Sequence, residues 1–134
     1  MILKKAIIHT DGAARGNPGP AAIGATIRDE PGNLHAAISQ CIGVTTNNQA
    51  EYRAVIAALE KAAGLGICHV DLKSDSELVV KQLKGQYRVK NAALKPVYQR
   101  AKQLIESLES FRITHIPRSQ NAEADALANK ALDG

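Results

Sequence analysis

Three apolar stretches near the start of the chain are separated by turn residues and do not recur at helical spacing. Residues 3–10 (LKKAIIHT), 21–29 (AAIGATIRD) and 34–42 (LHAAISQCI) are short and bounded by Gly, Pro, Asn or Asp, which predicts three strands. The EPGN turn from Glu30 to Asn33 joins the second and third as a hairpin. From residue 48 the period changes. Tyr52, Val55, Ile56, Leu59 and Ala63 share one face of a helix over 48–63, which Gly64 and Gly66 stop. Residues 68–74 (CHVDLKS) predict a fourth strand. A short helix follows with Leu78, Val79 and Leu83, ending at Gly85. Leu94, Val97, Ala101, Leu104 and Leu108 predict another helix, with Pro96 near its start, where a missing N–H does no harm. Residues 111–117 (FRITHIP) predict a fifth strand, and a last helix runs from about Asn121 to Leu132.

A hairpin meander followed by alternating helices and strands predicts one mixed sheet with helices packed on it, an α/β fold. No linker, repeat or low-complexity run breaks the pattern, so a single domain over 1–134 is expected. Hydrophobic residues make up 45% and aromatics only 3%, so Ile, Leu, Val and Ala must fill the core. The formal net charge of +4 permits a polyanionic partner without requiring one. Cys41 and Cys68 lack metal-type spacing and are expected to be packing thiols in a reduced, cytoplasmic protein. The apolar run Ala6–Ile8 is too short for a signal peptide or a membrane span, so no membrane partner is expected.

The candidate chemistry lies in four acids at element junctions: Asp11, Glu51, Asp75 and Asp125. Each has a plain structural explanation. Asn48 to Glu51 and Ser74 to Glu77 have the spacing of capping boxes, which would make Asp75 a first-turn acid. Asp125 follows a candidate Asn121 cap, and Asp11 precedes turn residues. Together they imply more. Asp11 and Asp75 end strands, at the sheet edge where ligands of α/β proteins collect. Glu51 and Asp125 start helices that could face that edge. Carboxylates that converge repel one another unless a cation joins them, and an all-oxygen site suits Mg²⁺ or Mn²⁺.

The stretches TDGAARGNPGPAAIG, TTNNQAEYRAVIAAL, LKSDSELVVKQL and QNAEADALANKAL carry a resemblance. In that order and spacing, over nearly the whole length, the chain resembles the type 1 ribonuclease H family, in its compact, archaeal-like branch. The resemblance implies a five-stranded mixed sheet flanked by helices. It also implies hydrolysis of the RNA strand of an RNA–DNA hybrid with two Mg²⁺ ions, leaving 5′-phosphate and 3′-hydroxyl ends, with Mn²⁺ as a substitute. Asp11 would bridge the two ions. Asp125 would help hold the ion that activates the attacking water, and Glu51 and Asp75 the ion facing the leaving oxygen. Gly12, Ala14, Arg15 and Asn17, in the small loop after Asp11, would meet the RNA strand. Asn47 and Gln49 would read hydroxyls or the minor groove. Thr46 and Asn17 would seat a DNA phosphate, and Asn91 would contact the DNA strand. For Asn47 and Asn48 the plain alternative is helix capping.

Two departures from the family stand out. Many members insert a handle rich in Lys and Trp after the second helix. This chain has no Trp, and only Lys81, Lys84, Arg88 and Lys90 form a basic group there. Many members also carry a catalytic His on a loop before the last acid. The segment HIPRSQNAEAD is shorter, His115 falls in the last strand, and Arg118 is the nearest polar candidate for a catalytic part. His9 is expected to be a partly buried strand residue, while His35 and His69 have no motif around them. A monomer is expected. The alternatives are a non-catalytic nucleic-acid-binding module of the same fold and a nuclease that also cuts double-stranded RNA, which offers the same 2′-hydroxyls.

Overall fold

The computed structural model describes residues 3–134. Its elements run β1 (Lys5–Ala14), β2 (Gly19–Arg28), β3 (Leu34–Thr45), α1 (Asn47–Gly64), β4 (His69–Ser74), α2 (Glu77–Leu83), α3 (Lys95–Glu106), β5 (Ser110–His115), a 3-10 turn (Arg118–Gln120) and α4 (Ala122–Asp133). The strands form one five-stranded sheet in the order β3-β2-β1-β4-β5. β1, β2 and β3 pair antiparallel through short turns. β4 pairs parallel to β1, and β5 parallel to β4. Parallel neighbours need long crossovers, which α1 supplies for the first pair and α2 with α3 for the second. This is the expected mixed sheet with helices upon it.

Two glycines seat helices on opposite faces of the sheet. A Cβ at Gly12 would overlap the backbone of Ala50 and Glu51 in α1. A Cβ at Gly24 would overlap the backbone of Ala124 and Ala128 in α4. Gly12 pairs with Ile23, the neighbour of Gly24, so by strand alternation the two positions face opposite ways. The main core lies on the α1 side. It holds Ile8, Ile27 and Leu72 from the sheet with Val55, Leu59, Val79 and Val80 from the helices. Tyr52 is fully buried there, donates its hydroxyl to Gln82 Oε1 at 2.6 Å, and meets the edge of Tyr98 at 6.4 Å between ring centres. On α1 it is Ala62, not Ala63, that is buried. Among the described residues no helix is long and apolar enough to cross a membrane.

β1 and β3 are longer than the apolar pattern predicts. β1 continues four residues past Thr10, and β3 three past Ile42, because backbone pairing extends through residues of low strand preference. Ala14 still pairs with Ala21, and Thr45 with Gly19. Asp11 therefore lies within β1 and not at its end. β5 is shorter than predicted and stops at His115.

Candidate active site

The parallel register of β1 with β4 ends at Thr10 and Ser74. β1 runs on along β2, so beyond Thr10 it has no β4 neighbour on its other flank. Asp11 and Asp75 are the next residues after this last pair, and the sheet opens between them. The sheet edge thus forms within β1, where one partner stops.

Helix placement brings in the other two acids. Since Gly12 has no side chain, α1 rests on β1 at Ala50 and Glu51, where its first turn passes into its second, and the Gly12 N–H donates to the Glu51 carboxylate. Glu51 therefore points at β1 and does not close the Asn48–Glu51 capping box. The cap of α1 is Thr46, whose hydroxyl accepts from Gln49 N at 3.3 Å; neither Asn47 nor Asn48 caps. On the other face, Gly24 lets the first turn of α4 rest on β2 beside Asp11, its register partner. Asn121, only 1% exposed, makes no side-chain cap; its amide donates to the Thr10 carbonyl at 2.9 Å instead. That bond fixes the start of α4 one residue before Asp11 along β1.

The Ser74–Glu77 box is likewise absent. Ser76 caps α2 by accepting from Val79 N, and Ser74 accepts from Ser76 N at 3.0 Å. Asp75 lies between strand and helix, before the cap and outside the first turn, and is free to face the opening. Glu77 pairs with Lys81 on its own helix at 2.6 Å.

Asp11, Glu51 and Asp75 each present a carboxylate oxygen within 4.8 Å of the others. Asp11 and Glu51 are buried, at 7% and 5% exposure. Burial, then the charge of Asp75, pushes the Asp11 carboxyl up to about 7, and Asp125 adds to the rise. Burial, followed by the charge of Asp11, also pushes Glu51 well above the usual carboxylate range. An all-oxygen set whose members hinder each other's ionisation fits a hard divalent cation, which would relieve the repulsion. Asp125 lines the same open cavity of about 430 Å³ but stands outside this closest group. Asn129 donates to its carboxylate at 3.3 Å and to its carbonyl at 3.0 Å. Asn129 is a site residue the sequence reading missed; its only signal is the one-turn spacing from Asp125.

Arg118 lies in the 3-10 turn with its guanidinium 3.6 Å from Asp125, and its side chain is 79% exposed. His115, the last residue of β5, is exposed. His9 is half-buried on β1, and burial, aided by Lys73, pushes its pKa down. Gly12, Ala14, Arg15 and Asn47 line the acidic cavity. Asn17, Thr46, Gln49 and Asn91 line a second one, of about 310 Å³. Asn17 Oδ1 accepts from Asn47 N at 3.1 Å and so links the two. In the second cavity Gln49 donates to the Ala93 carbonyl at 2.6 Å, and Asn91 accepts from Ala93 N at 2.8 Å. The Gly12 N–H is already used by Glu51, and Arg15 pairs with Asp133. Gly12 is bare because α1 fills its space, so the sequence reading of it as open loop needs correction.

A sheet of this order, opened at one edge over buried carboxylates, has the ribonuclease H-like architecture. It superposes on the crystal structure of RNase H1 from Halobacterium salinarum with a TM-score of 0.94 at 46% identity, covering 96% of this chain and 98% of that one. It superposes on LC11-RNase H1, isolated from compost, in complex with RNA/DNA hybrid with a TM-score of 0.91 at 46% identity, covering 96% of each chain. A family profile described as reverse transcriptase-like matches residues 9–131. Ribonuclease HI of H. salinarum is 49% identical over 125 residues, 93% of this chain and 63% of that protein. Ribonuclease H of Prosthecochloris aestuarii is 35% identical over 144 residues, 96% of each. The chain belongs to the ribonuclease H family. It spans less than two thirds of the Halobacterium protein and 36% of three mycobacterial relatives that are 41% identical to it.

Proposed function

We propose that this protein hydrolyses the RNA strand of RNA–DNA hybrids with divalent cations at the Asp11 cluster, leaving 5′-phosphate and 3′-hydroxyl ends. The observation that carries the reading is the convergence of Asp11, Glu51 and Asp75 within 4.8 Å at an open cavity. Two ions of the Mg²⁺ type, with Mn²⁺ as a substitute, would supply an activated water and charge stabilisation of the leaving oxygen. Asp11, Glu51, Asp75 and Asp125 would hold them. Asn129 keeps the Asp125 carboxylate turned to the cavity, and the Gly12 N–H does the same for Glu51. Arg118 stays protonated, so it cannot serve as a base; its place is on a phosphate oxygen beside Asp125.

The second cavity suits the other strand of the substrate. Asn17, Thr46, Gln49 and Asn91 give it a polar lining without a fixed charge, matched to phosphate and sugar contacts. A 2′-hydroxyl near Asn47 and the loop after Asp11 would mark the strand to be cut as RNA. The protein would act as a monomer in the cytoplasm, where Cys41 and Cys68 stay reduced.

One digestion panel tests this reading. Labelled RNA–DNA hybrid, double-stranded RNA and double-stranded DNA are each incubated with Mg²⁺, Mn²⁺ or EDTA. Cleavage of the hybrid RNA with metal, and none with EDTA, is expected. Hybrid bound but uncut under all conditions would make the protein a binding module. Equal cutting of double-stranded RNA would widen the substrate class.

A further inference from the structure

A second group of metal-ligating side chains sits at the opposite end of β4 from Asp75. Cys68 immediately precedes β4, His69 opens it, and Glu109 immediately precedes β5. A sulfur, a ring nitrogen and a carboxylate oxygen from these three all lie within 4.8 Å of one another. Cys68 Sγ is 3.6 Å from Glu109 Oε2, and His69 Nε2 is 3.1 Å from the same oxygen. One face of a zinc tetrahedron has edges of about 3.4–3.6 Å, from its usual ligand distances.

We propose that Cys68, His69 and Glu109 form a separate binding site for a zinc-class divalent cation, with the fourth position open to water. The donor set of one thiolate, one imidazole and one carboxylate suits zinc, unlike the all-oxygen acidic cluster. Two features hold the ligands in place before any metal arrives. His69 Nδ1 lies 2.8 Å from Ser110 Oγ, which leaves Nε2 to face Glu109 and Cys68, the way metal-binding imidazoles are oriented by an outer partner. The N–H groups of Glu109 and Ser110 both donate to the Cys68 carbonyl, at 2.8 and 3.3 Å, so backbone pairing brings together residues far apart in the chain. Without metal the Cys68 thiol and the His69 Nε2–H both donate to the Glu109 carboxylate; on metal binding the thiol proton leaves to solvent and the imidazole proton moves to Nδ1, which then donates to Ser110 Oγ. A cation there would staple the N-terminal ends of β4 and β5. The site is independent of the proposed nuclease activity.

Cobalt(II) titration of the reduced full chain tests the assignment, because a thiolate ligand gives cobalt a near-ultraviolet charge-transfer band that the acids around Asp11 cannot. The band should saturate at one equivalent and disappear on adding zinc. Cys68→Ser should abolish it, while Cys41→Ser should retain it. His69→Gln and Glu109→Gln should each weaken cobalt binding at least about tenfold, and Ser110→Ala about tenfold. Circular dichroism checks each variant's fold. If Cys68→Ser does not fold, Glu109→Gln decides, since its side chain is 70% exposed. No band at stoichiometric cobalt, a band that survives in folded Cys68→Ser, or unchanged affinity in Glu109→Gln overturns the site.

Discussion

The buried Asn121 side chain donates to the Thr10 carbonyl at 2.9 Å, and this bond ties the start of α4 to β1 beside Asp11. Asp125, the first residue to bond back to the Asn121 carbonyl, takes its position from that anchor. Asn121→Ala leaves the buried Thr10 carbonyl without this partner, a loss of about 1–3 kcal/mol that removal of the unpartnered Asn121 Oδ1 partly offsets. Urea unfolding should show that loss. In the proposed reaction kcat should fall more than KM changes, because Asp125 is displaced while the second cavity is untouched. An unaltered kcat in the folded variant would mean that α4 holds Asp125 without the anchor.

Asp11→Asn should abolish hybrid cleavage and yet stabilise the metal-free protein. Burial, then the charge of Asp75, pushes the Asp11 carboxyl up to about 7 from the ordinary 3.8. Between those values the folded chain binds more protons than the unfolded one, so stability falls as pH rises through this window and stays lower above it. Asparagine removes that share of the slope. With EDTA, the variant's melting temperature should exceed the wild type's at pH 8 and nearly match it at pH 4. Cleavage by the variant at the wild-type rate with Mg²⁺ would contradict the cluster's proposed role.

Gly24→Ala should weaken both fold and site. The new methyl would meet the Ala124 carbonyl and the Ala128 N–H, so α4 must shift from the sheet, with a loss of about 1–3 kcal/mol. Gly64→Ala is the matched control. It ends α1, nothing lies near its missing Cβ, and alanine there should be neutral or slightly stabilising. Chemical denaturation of the pair separates crowding at α4 from a general effect of replacing glycine.

Arg118→Ala should lower turnover on saturating hybrid roughly ten- to a hundredfold, the scale of one lost electrostatic contact to developing charge. Since Arg118 is largely exposed, the variant should melt like the wild type. His115→Ala, at the exposed end of β5, should keep nearly full turnover. If folded His115→Ala loses activity and Arg118→Ala keeps it, the roles are reversed.

Much of the architecture was legible because apolar periodicity reports which face of each element is buried. The three-four spacing of Tyr52, Val55 and Leu59 marks α1, and the EPGN turn marks the β2–β3 hairpin, where Asp29 accepts from the Gly32 and Asn33 N–H groups. The candidate acids stood out as carboxylates in four separate motifs, and the structure brings Asp11, Glu51 and Asp75 within 4.8 Å of one another, with Asp125 lining the same cavity. Which local pattern each acid obeys was not legible. Glu51 and Glu77 both have capping-box spacing, and neither closes a box, since Thr46 and Ser76 are the caps and both acids fall outside the third helical position; the Gly12 N–H and Lys81 hold them instead.

Sequence by itself determined the order of elements, the residues able to fill a core and the candidate acids, because these depend on neighbours a few positions away. Tertiary structure alone decided that β4 stops pairing at Ser74 while β1 continues to Ala14, which opens the sheet beside Asp11. It alone decided that Gly12 and Gly24 are bare to admit helices, that Asn121 anchors and does not cap, and that Glu109 reaches Cys68 and His69. The physical reason is common to all of them. Each depends on the packing of backbone segments distant in the chain, and a pattern of side-chain types carries no measure of how closely two backbones approach.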